Sequence, residues 1–206
     1  RYNEALASFD KVLSIEPNFS EALNNRGLVL QQLKRYDEAL ASFDRALTNK
    51  PEIAEALGNR GLVLQELGRL HEAEESYRRA LALKPQYADV LNNLGNALMG
   101  LGRLQEADKS YRRALALMPG VRDCAVFGVP DAEFGEALLA AVQPEPGATL
   151  SLKDIQSFLA ARIAGYKVPR RIEFHDALPR EESGKIFKRR LRAPHLVVDG
   201  ELQGDA

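Results

Sequence analysis

Cysteine is nearly absent from this 206-residue sequence, and Cys124 is the single example. One cysteine excludes a framework of internal disulfide bonds and suits a reducing compartment. Histidine is scarce too, and His71, His175 and His195 are too scattered to give the spacing of metal ligands. We therefore expect no bound metal in this chain.

Long hydrophobic runs are missing as well. No stretch approaches the roughly 18 consecutive apolar residues of a membrane-spanning helix, and no signal peptide opens the chain. Hydrophobic residues make up 45% and charged residues 28% of the sequence, which is ordinary for a globular protein. These absences predict a cytoplasmic protein with no membrane span and with room for one large domain or two small ones.

A regular period, equal to the spacing between Pro17 and Pro51, runs through the sequence from 1 to 119. It is kept by four residue types: proline, glycine, alanine and an aromatic residue. The positions are Pro17, Pro51, Pro85 and Pro119; Gly27, Gly61 and Gly95; Ala5, Ala39, Ala73 and Ala107; and Phe9, Phe43, Tyr77 and Tyr111. Because four residue types share one register, the period predicts an array of repeated structural units.

Each period predicts a helical hairpin. After Pro17, apolar residues at helical spacing predict helices over residues 20–33 and 36–48, joined by a turn at residues 34–35. The small residues Gly27 and Ala39 predict a close crossing of these helices, and Phe43 fills the space between hairpins. Pro51 ends the second helix. One hairpin cannot bury its apolar stripe alone, so neighbouring hairpins must stack.

This pattern resembles the tetratricopeptide repeat over residues 1–119. The resemblance implies an all-α superhelix of antiparallel helical hairpins, with a partial repeat at 1–19 and full repeats at 20–53, 54–87 and 88–119. The partial repeat has only its second helix, over residues 1–13. We therefore expect further sequence upstream of Arg1.

An asparagine recurs on the first helices, which line the concave face of such a superhelix. The recurring residues are Asn25, Asn59 and Asn93, with Asn24, Asn92 and Asn96 beside them. Because a side-chain amide both donates and accepts hydrogen bonds, this row predicts a site for an extended protein or peptide ligand. It resembles the asparagine ladder of O-GlcNAc transferases. The alternative is that these residues are only polar positions on exposed helix faces.

Charged residues on the same face limit which class of ligand can bind there. A clamp for carboxylates would need Lys and Arg there, whereas Glu21, Glu55 and Asp89 occupy the corresponding positions. Arg26 and Arg60 precede the repeated glycines, and we expect them to extend between helices rather than to bind a ligand.

After Pro119 the repeat stops and an α+β pattern begins. Runs at residues 122–129 and 137–143 predict strands, and residues 171–175 predict a third. Ser151 and Asp154 predict a capped helix between them, and residues 186–192 predict a short basic helix. The sequence thus predicts a small α+β domain over residues 120–192 and a disordered tail over residues 193–206.

Two segments carry a second resemblance: DCAVFGVPDAEFGE, and AGYKVPRRIEFHDALPREESGKIFKRRLR. They resemble the C-terminal subdomain of AMP-forming acyl-CoA synthetases over residues 118–192, which implies ATP, magnesium and coenzyme A in the complete reaction. The resemblance assigns the catalytic lysine to Lys185, with Gly184 in the tight loop beside the nucleotide. It places Lys167 and Arg170 at the phosphates of coenzyme A, although both could simply border the strand. The spacing of Pro179, Gly184 and Lys185 also resembles the pattern at which such enzymes are inactivated by lysine acylation.

The chemistry explains why a lysine is needed. A carboxylate attacks the α-phosphate of ATP, and an ammonium group stabilises the crowded negative charge. The segment is not a P-loop, because Pro179 stands where a glycine is required and Ile186 replaces the Ser or Thr. The run Lys188-Arg189-Arg190 is a candidate nucleic-acid patch, but a solvated helix face explains it better, so we expect no nucleic-acid ligand. Cys124 is expected to be a buried strand residue.

Three hypotheses fit this α+β fold class. The chain is a protein-interaction scaffold carrying a synthetase-like module; or part of an acyl-CoA ligase whose nucleotide-binding domain comes from elsewhere; or a chimera joined at residues 117–121. The large domain that holds ATP and the hinge that moves the subdomain are absent from this sequence. We therefore expect the chain to bind no cofactor alone, and to perform no adenylation without a partner synthetase domain.

Overall fold

The computed structural model describes residues 1–131, 135–160 and 171–195. The chain divides into two compact units, Arg1–Ser110 and Tyr111–Ala206. No helix in the described ranges is long and apolar enough to cross a membrane.

The first unit consists of antiparallel helices. Their bounds are α1 (Tyr2–Ile15), α2 (Ser20–Gln32), α3 (Tyr36–Asn49), α4 (Ala54–Glu66), α5 (Leu70–Leu83) and α6 (Ala88–Gly100), followed by α7 (Leu104–Leu115), which crosses the boundary between the units. Within the first unit, α2 contacts α4 and α4 contacts α6, whereas α3 and α5 contact the first helices that flank them. The first helices therefore form a continuous inner row, as the predicted hairpin array requires.

Small residues let the two helices of a hairpin cross closely. A Cβ atom on Gly27 would lie 2.6 Å from Cε1 of Phe43, and one on Gly61 would lie 2.5 Å from Cε1 of Tyr77. Both rings are completely buried, as is Ala39. The glycine and the aromatic ring therefore meet at one crossing, and this explains why these two residue types repeat in register.

The turn inside each hairpin uses a left-handed residue. Lys34 has φ of 58°, and Gly68 and Gly102 have φ of 74° and 73° at the equivalent positions. The backbone N–H of Arg69, next after Gly68, donates to the carbonyl of Leu64 over 2.8 Å, which closes the end of α4. Glycine adopts this conformation without strain, whereas lysine does not.

The second unit contains a three-stranded sheet in the order β1-β2-β3. Strand β1 (Val121–Asp131) pairs antiparallel with β2 (Gly135–Pro144), and β2 pairs parallel with β3 (Arg171–Phe174). In the register, Val126 lies opposite Ala140 and Ala140 opposite Ile172. Two further helices follow β2 and β3, at α8 (Leu152–Ala160) and α9 (Lys188–Arg192). The α+β expectation is confirmed.

Both faces of β1 are covered. On one face, Ala125, Phe127 and Val129 form a core with residues of β2 and of the C-terminal segment, namely Leu139, Ala141, Leu178 and Leu191. On the other face, Cys124 and Val126 are buried. A strand buried on both sides reads as a continuous apolar run, which is the pattern of residues 124–127.

The predicted cap of α8 is present. The hydroxyl and the backbone N–H of Ser151 both donate to Oδ2 of Asp154, over 2.6 and 2.8 Å, and the backbone N–H of Asp154 donates to Oγ of Ser151. The two bonds that Ser151 donates lower the pKa of the Asp154 carboxyl. The reciprocal pattern satisfies donors that the first turn of a helix otherwise leaves without partners.

Two C-terminal expectations need correction. The short basic helix begins at Lys188 rather than at residue 186, because Ile186 forms an isolated β-bridge with Arg180. The expected disordered tail begins with an ordered 3₁₀ turn, Ala193–His195. Nε2 of His195 lies 3.2 Å from Oε1 of Glu173, and this contact ties the turn to β3. Residues 196–206 lie outside the described residues.

Candidate functional site

The recurring asparagines occupy equivalent positions on α2, α4 and α6, but their exposure differs. Asn25 is exposed and Asn59 is half-buried, whereas Asn93 is only 5% exposed. Beside them, Asn24 is half-buried and Asn92 is 4% exposed. The accessible part of the predicted row therefore lies on α2 and α4.

One contact links asparagines of successive repeats. Nδ2 of Asn59 donates to Oδ1 of Asn24 over 3.2 Å. This bond uses the Asn59 nitrogen and the Asn24 oxygen, so the amide groups still carry one acceptor on Asn59 and a donor on Asn24. An extended peptide backbone offers the complementary pair.

A surface cavity of about 370 Å³ opens next to these asparagines. It is lined by Asn24 and Asn25 of α2, by the α3–α4 connection, and by acidic side chains; the full lining is Glu21, Asn24, Asn25, Lys50, Glu52, Ile53 and Glu55. Three carboxylates and one ammonium group give the wall a net negative charge. A larger cavity of about 730 Å³ adjoins it and shares Glu21 and Lys50.

Lysines from the ends of outer helices reach the acidic residues of this wall. Nζ of Lys50 lies 3.3 Å from Oε1 of Glu21, and Nζ of Lys84 lies 3.4 Å from Oε1 of Glu55. A backbone hydrogen bond and then the Lys50 contact lower the pKa of the Glu21 carboxyl. All four side chains are at least half exposed, so a ligand can displace the lysines at little cost.

Arg26 and Arg60 bind neighbouring helices, as expected. Nε of Arg26 donates to Asp10 over 2.7 Å and Nη1 donates to Oγ of Ser42 over 2.7 Å. The same pattern joins Arg60 to Asp44 and Ser76, both over 2.6 Å. For each arginine, the aspartate lies 16 residues before it in the sequence and the serine lies 16 residues after it. That regular spacing could have identified the partners from the sequence.

Lys185 lies at the end of a tight turn in the second unit. The backbone N–H of Glu181 donates to the carbonyl of Lys185 over 2.8 Å, and that of Gly184 donates to the carbonyl of Glu181 over 2.8 Å. Gly184 has φ of 79°, a conformation that glycine adopts readily. The Lys185 side chain is exposed and makes no ion pair within the described ranges, so its charge is available to an anion.

Arg180 closes the same turn and was not identified from the sequence. Its Nη1 donates to the carbonyl of Gly184 over 2.6 Å, and its Nη2 donates to Oδ2 of Asp123 on β1. Gly184 and Asp123 lie far apart in the chain, so no local spacing relates the two partners of this arginine.

The remaining predicted residues divide into two groups. Lys167 and Arg170 lie outside the described residues. Cys124 is 2% exposed, and its carbonyl accepts a hydrogen bond from Nε of Arg112 over 3.2 Å, which fits a buried strand residue. Within the described ranges, no group of three His, Cys, Asp or Glu side chains could hold a metal ion.

Comparison with protein families separates the two parts of the chain. Residues 18–86 and 59–121 match tetratricopeptide-repeat families, and residues 113–185 match the AMP-binding enzyme C-terminal domain. The matches overlap at residues 113–121, which include the predicted junction at 117–121.

Curated relatives match the second part. A feruloyl-CoA synthase of a Streptomyces species is 47% identical over 73 residues, which are 35% of this chain and 15% of that enzyme. The oxalate–CoA ligase of Arabidopsis thaliana is 44% identical over 71 residues, 34% of this chain and 14% of the enzyme. A fatty acid–acyl-carrier-protein ligase of Streptomyces coeruleorubidus is 45% identical over 73 residues, which are 35% of this chain and 14% of the ligase. The chain thus spans about one seventh of the length of these relatives.

Solved structures of MamA are similar in fold. One has a TM-score of 0.56 and 25% identity, covering 58% of this chain and 70% of that one. Another, from Desulfovibrio magneticus RS-1, has a TM-score of 0.53 and 27% identity, covering 56% of this chain and 66% of the other.

Proposed function

Because the chain is a tetratricopeptide-repeat array joined to an AMP-binding-enzyme C-terminal domain, we propose that its primary function is to bind an extended peptide segment of another protein. The ligand lies along the inner row of helices, at the accessible asparagines of α2 and α4. The proposal rests on the repeats and not on the second unit.

The cavity beside Asn24 and Asn25 is the observation that carries this proposal. It combines amides that can bind a peptide backbone with an apolar side chain, Ile53, that can pack against the ligand. Backbone recognition by amides fixes an extended conformation without demanding one sequence. Asn92 and Asn93 are buried and contribute no ligand contact in this proposal.

The charge of the wall selects the class of peptide. Glu21, Glu52 and Glu55 line the cavity with Lys50, and Lys84 also contacts Glu55, so the carboxylates still outnumber the ammonium groups by one. A ligand with Lys or Arg side chains replaces the exposed Lys50 contact and gains attraction, whereas an acidic ligand meets like charge. The proposed partner is therefore an extended basic segment.

A peptide-display experiment tests the proposal. Binders of the full chain are selected from a random library of short peptides, and their affinities are measured by fluorescence polarisation. We expect enrichment of Lys and Arg, and a loss of about 3- to 10-fold for Asn25→Ala, since one hydrogen bond contributes about 0.5–1.5 kcal/mol. Asn3→Ala, which changes an exposed asparagine of α1, is the matched control.

Two results would contradict the proposal. Acidic or purely apolar binders would refute the charge assignment, and equal affinity for the Asn25→Ala and wild-type proteins would refute the position of the ligand.

A second candidate function is favoured by the exposed ammonium group of Lys185 on its ordered turn. This lysine fits one contact to a nucleotide phosphate in an adenylation reaction. The described residues provide no cluster that fits magnesium, and in this role magnesium and the rest of ATP would be held by another domain. In this role the chain supplies the lysine to a nucleotide-binding domain.

Complementation tests this second function. The full chain is added to feruloyl-CoA synthase lacking its own matching C-terminal residues, and ATP–pyrophosphate exchange is measured with ferulate. We expect no exchange from either component alone, exchange from the mixture, and loss of exchange with Lys185→Ala. Lys153→Ala, which changes an exposed lysine of α8, should behave like the wild type. A folded chain that restores no exchange would refute the role.

A further inference from the structure

Contacts on both sides of the loop hold the turn that carries Lys185. The backbone N–H of Phe187 donates to the carbonyl of Pro179 over 2.7 Å, and Nζ of Lys188 donates to the carbonyl of Val126 over 3.1 Å. Both contacts lie outside the loop of residues 181–185. The Arg180 side chain binds both the loop and a strand of the sheet.

The geometry points to Arg180 as a positioning residue for Lys185. One guanidinium group donates to the Gly184 carbonyl and to the Asp123 carboxylate, so it couples the residue before Lys185 directly to β1. A planar fork with several N–H donors can bind two partners at fixed angles, which a lysine ammonium cannot do. This inference rests on the proposed adenylation role of Lys185.

The Asp123 carboxylate is itself oriented. Its Oδ1 accepts a hydrogen bond from the backbone N–H of Cys124 over 2.8 Å, while Oδ2 binds Arg180. Cys124 lies in the buried part of β1. The restraint therefore runs from the sheet core through Asp123 and Arg180 to the turn.

This arrangement restrains the turn without adding much to global stability. Arg180 is half exposed and Asp123 is one quarter exposed, and exposed ion pairs add little to the free energy of folding. A positioned lysine nevertheless matters, because small displacements of a catalytic group reduce the rate strongly. Loss of the contact between Arg180 and Asp123 is therefore expected to loosen the turn while the stability of the domain stays nearly unchanged.

The test uses the full chain with Arg180→Met, with Asp123→Asn and with both changes. Arg190→Met on α9 is the matched control. Amide hydrogen exchange by NMR should show that the N–H groups of Glu181 and Gly184 exchange about fivefold faster in each variant. This factor corresponds to the upper range of the stabilisation that an exposed ion pair gives. The double variant should match the single ones, because the two residues act through one contact.

The same variants are then assayed with the truncated feruloyl-CoA synthase. We expect kcat for ATP–pyrophosphate exchange to fall about tenfold with an unchanged KM for ATP, since Lys185 itself remains. Unchanged amide exchange in Arg180→Met would refute the claim that Arg180 restrains the turn. A rise in KM for ATP with an unchanged kcat would refute positioning of Lys185 and would indicate that Arg180 binds the nucleotide. Absence of activity with the wild-type chain would refute the proposed role of Lys185, and the amide exchange would still decide the restraint.

Discussion

Replacing Gly27 by alanine should destabilise the repeat array, although alanine is the better helix former. The new methyl group would lie 2.6 Å from Cε1 and 2.7 Å from Cζ of Phe43. Carbon atoms in contact prefer a separation of about 3.5–4.0 Å, so the ring must move by roughly 1 Å. Phe43 is completely buried, so this movement must displace neighbouring core atoms.

The magnitude follows from two opposing effects. Overpacking a core costs about 1–3 kcal/mol, and replacing glycine by alanine within a helix returns about 1 kcal/mol. We therefore expect Gly27→Ala to lower the free energy of unfolding by about 1 kcal/mol. For a unit of this size, that change lowers Tm by roughly 4–8 °C.

Thermal and urea unfolding followed by far-ultraviolet circular dichroism measure the effect. Gly100→Ala is the matched control, because its Cβ would meet only the terminal Cδ1 of Leu70 closely, which can rotate away; it should be neutral or stabilising. In a Phe43→Leu background, Gly27→Ala should lose its penalty. A higher Tm for Gly27→Ala alone, or the same cost in both backgrounds, would show that the ring does not set the crossing of α2 and α3.

Three further predictions concern local contacts. Lys34→Gly should stabilise the first unit by about 0.5–1 kcal/mol in urea unfolding, because a left-handed lysine is strained; a loss of stability would contradict this. Ser151→Ala should cost about 1 kcal/mol by removing the cap that it forms with Asp154, and an unchanged unfolding midpoint of the second unit would refute the cap. The Arg69 hydrogen bond lowers the pKa of Glu72. This pair therefore stabilises the fold when the pH is above the ordinary pKa of glutamate, and its contribution is lost as the pH falls through the lowered pKa. Arg69→Gln should therefore flatten the acid limb of a plot of stability against pH, and an unaltered limb would exclude the pair as its cause.

The fold of the first unit was predictable because its determinants are local and repeated. Gly27 and Phe43 recur one repeat later as Gly61 and Tyr77, so the close crossing is visible as a period in the sequence. The predicted helices at 20–33 and 36–48 differ from α2 and α3 by a single position at their C-terminal ends. The proline, glycine and aromatic positions that marked the period are also those that end a helix or fill a crossing.

The site residues were less predictable, because exposure and partners depend on contacts between distant parts of the chain. The period assigned Asn25 and Asn93 the same role, yet one is exposed and the other is 5% exposed. Arg180 was overlooked because its partner Asp123 lies on another element. A period identifies equivalent backbone positions, but it does not show what covers the side chain at each.

The two candidate sites differ in how much of their chemistry this chain carries. At the cavity, Asn24 and Asn25 supply donors and acceptors, Ile53 supplies an apolar contact, and the carboxylates supply the charge, which are the groups that the proposed peptide ligand requires. At Lys185 one ammonium group faces a reaction in which two anions must approach. Binding tolerates the loss of single contacts, whereas catalysis requires several groups to act on one transition state. We therefore propose peptide binding as the function that the cavity residues perform together, whereas the proposed adenylation role of Lys185 needs another domain.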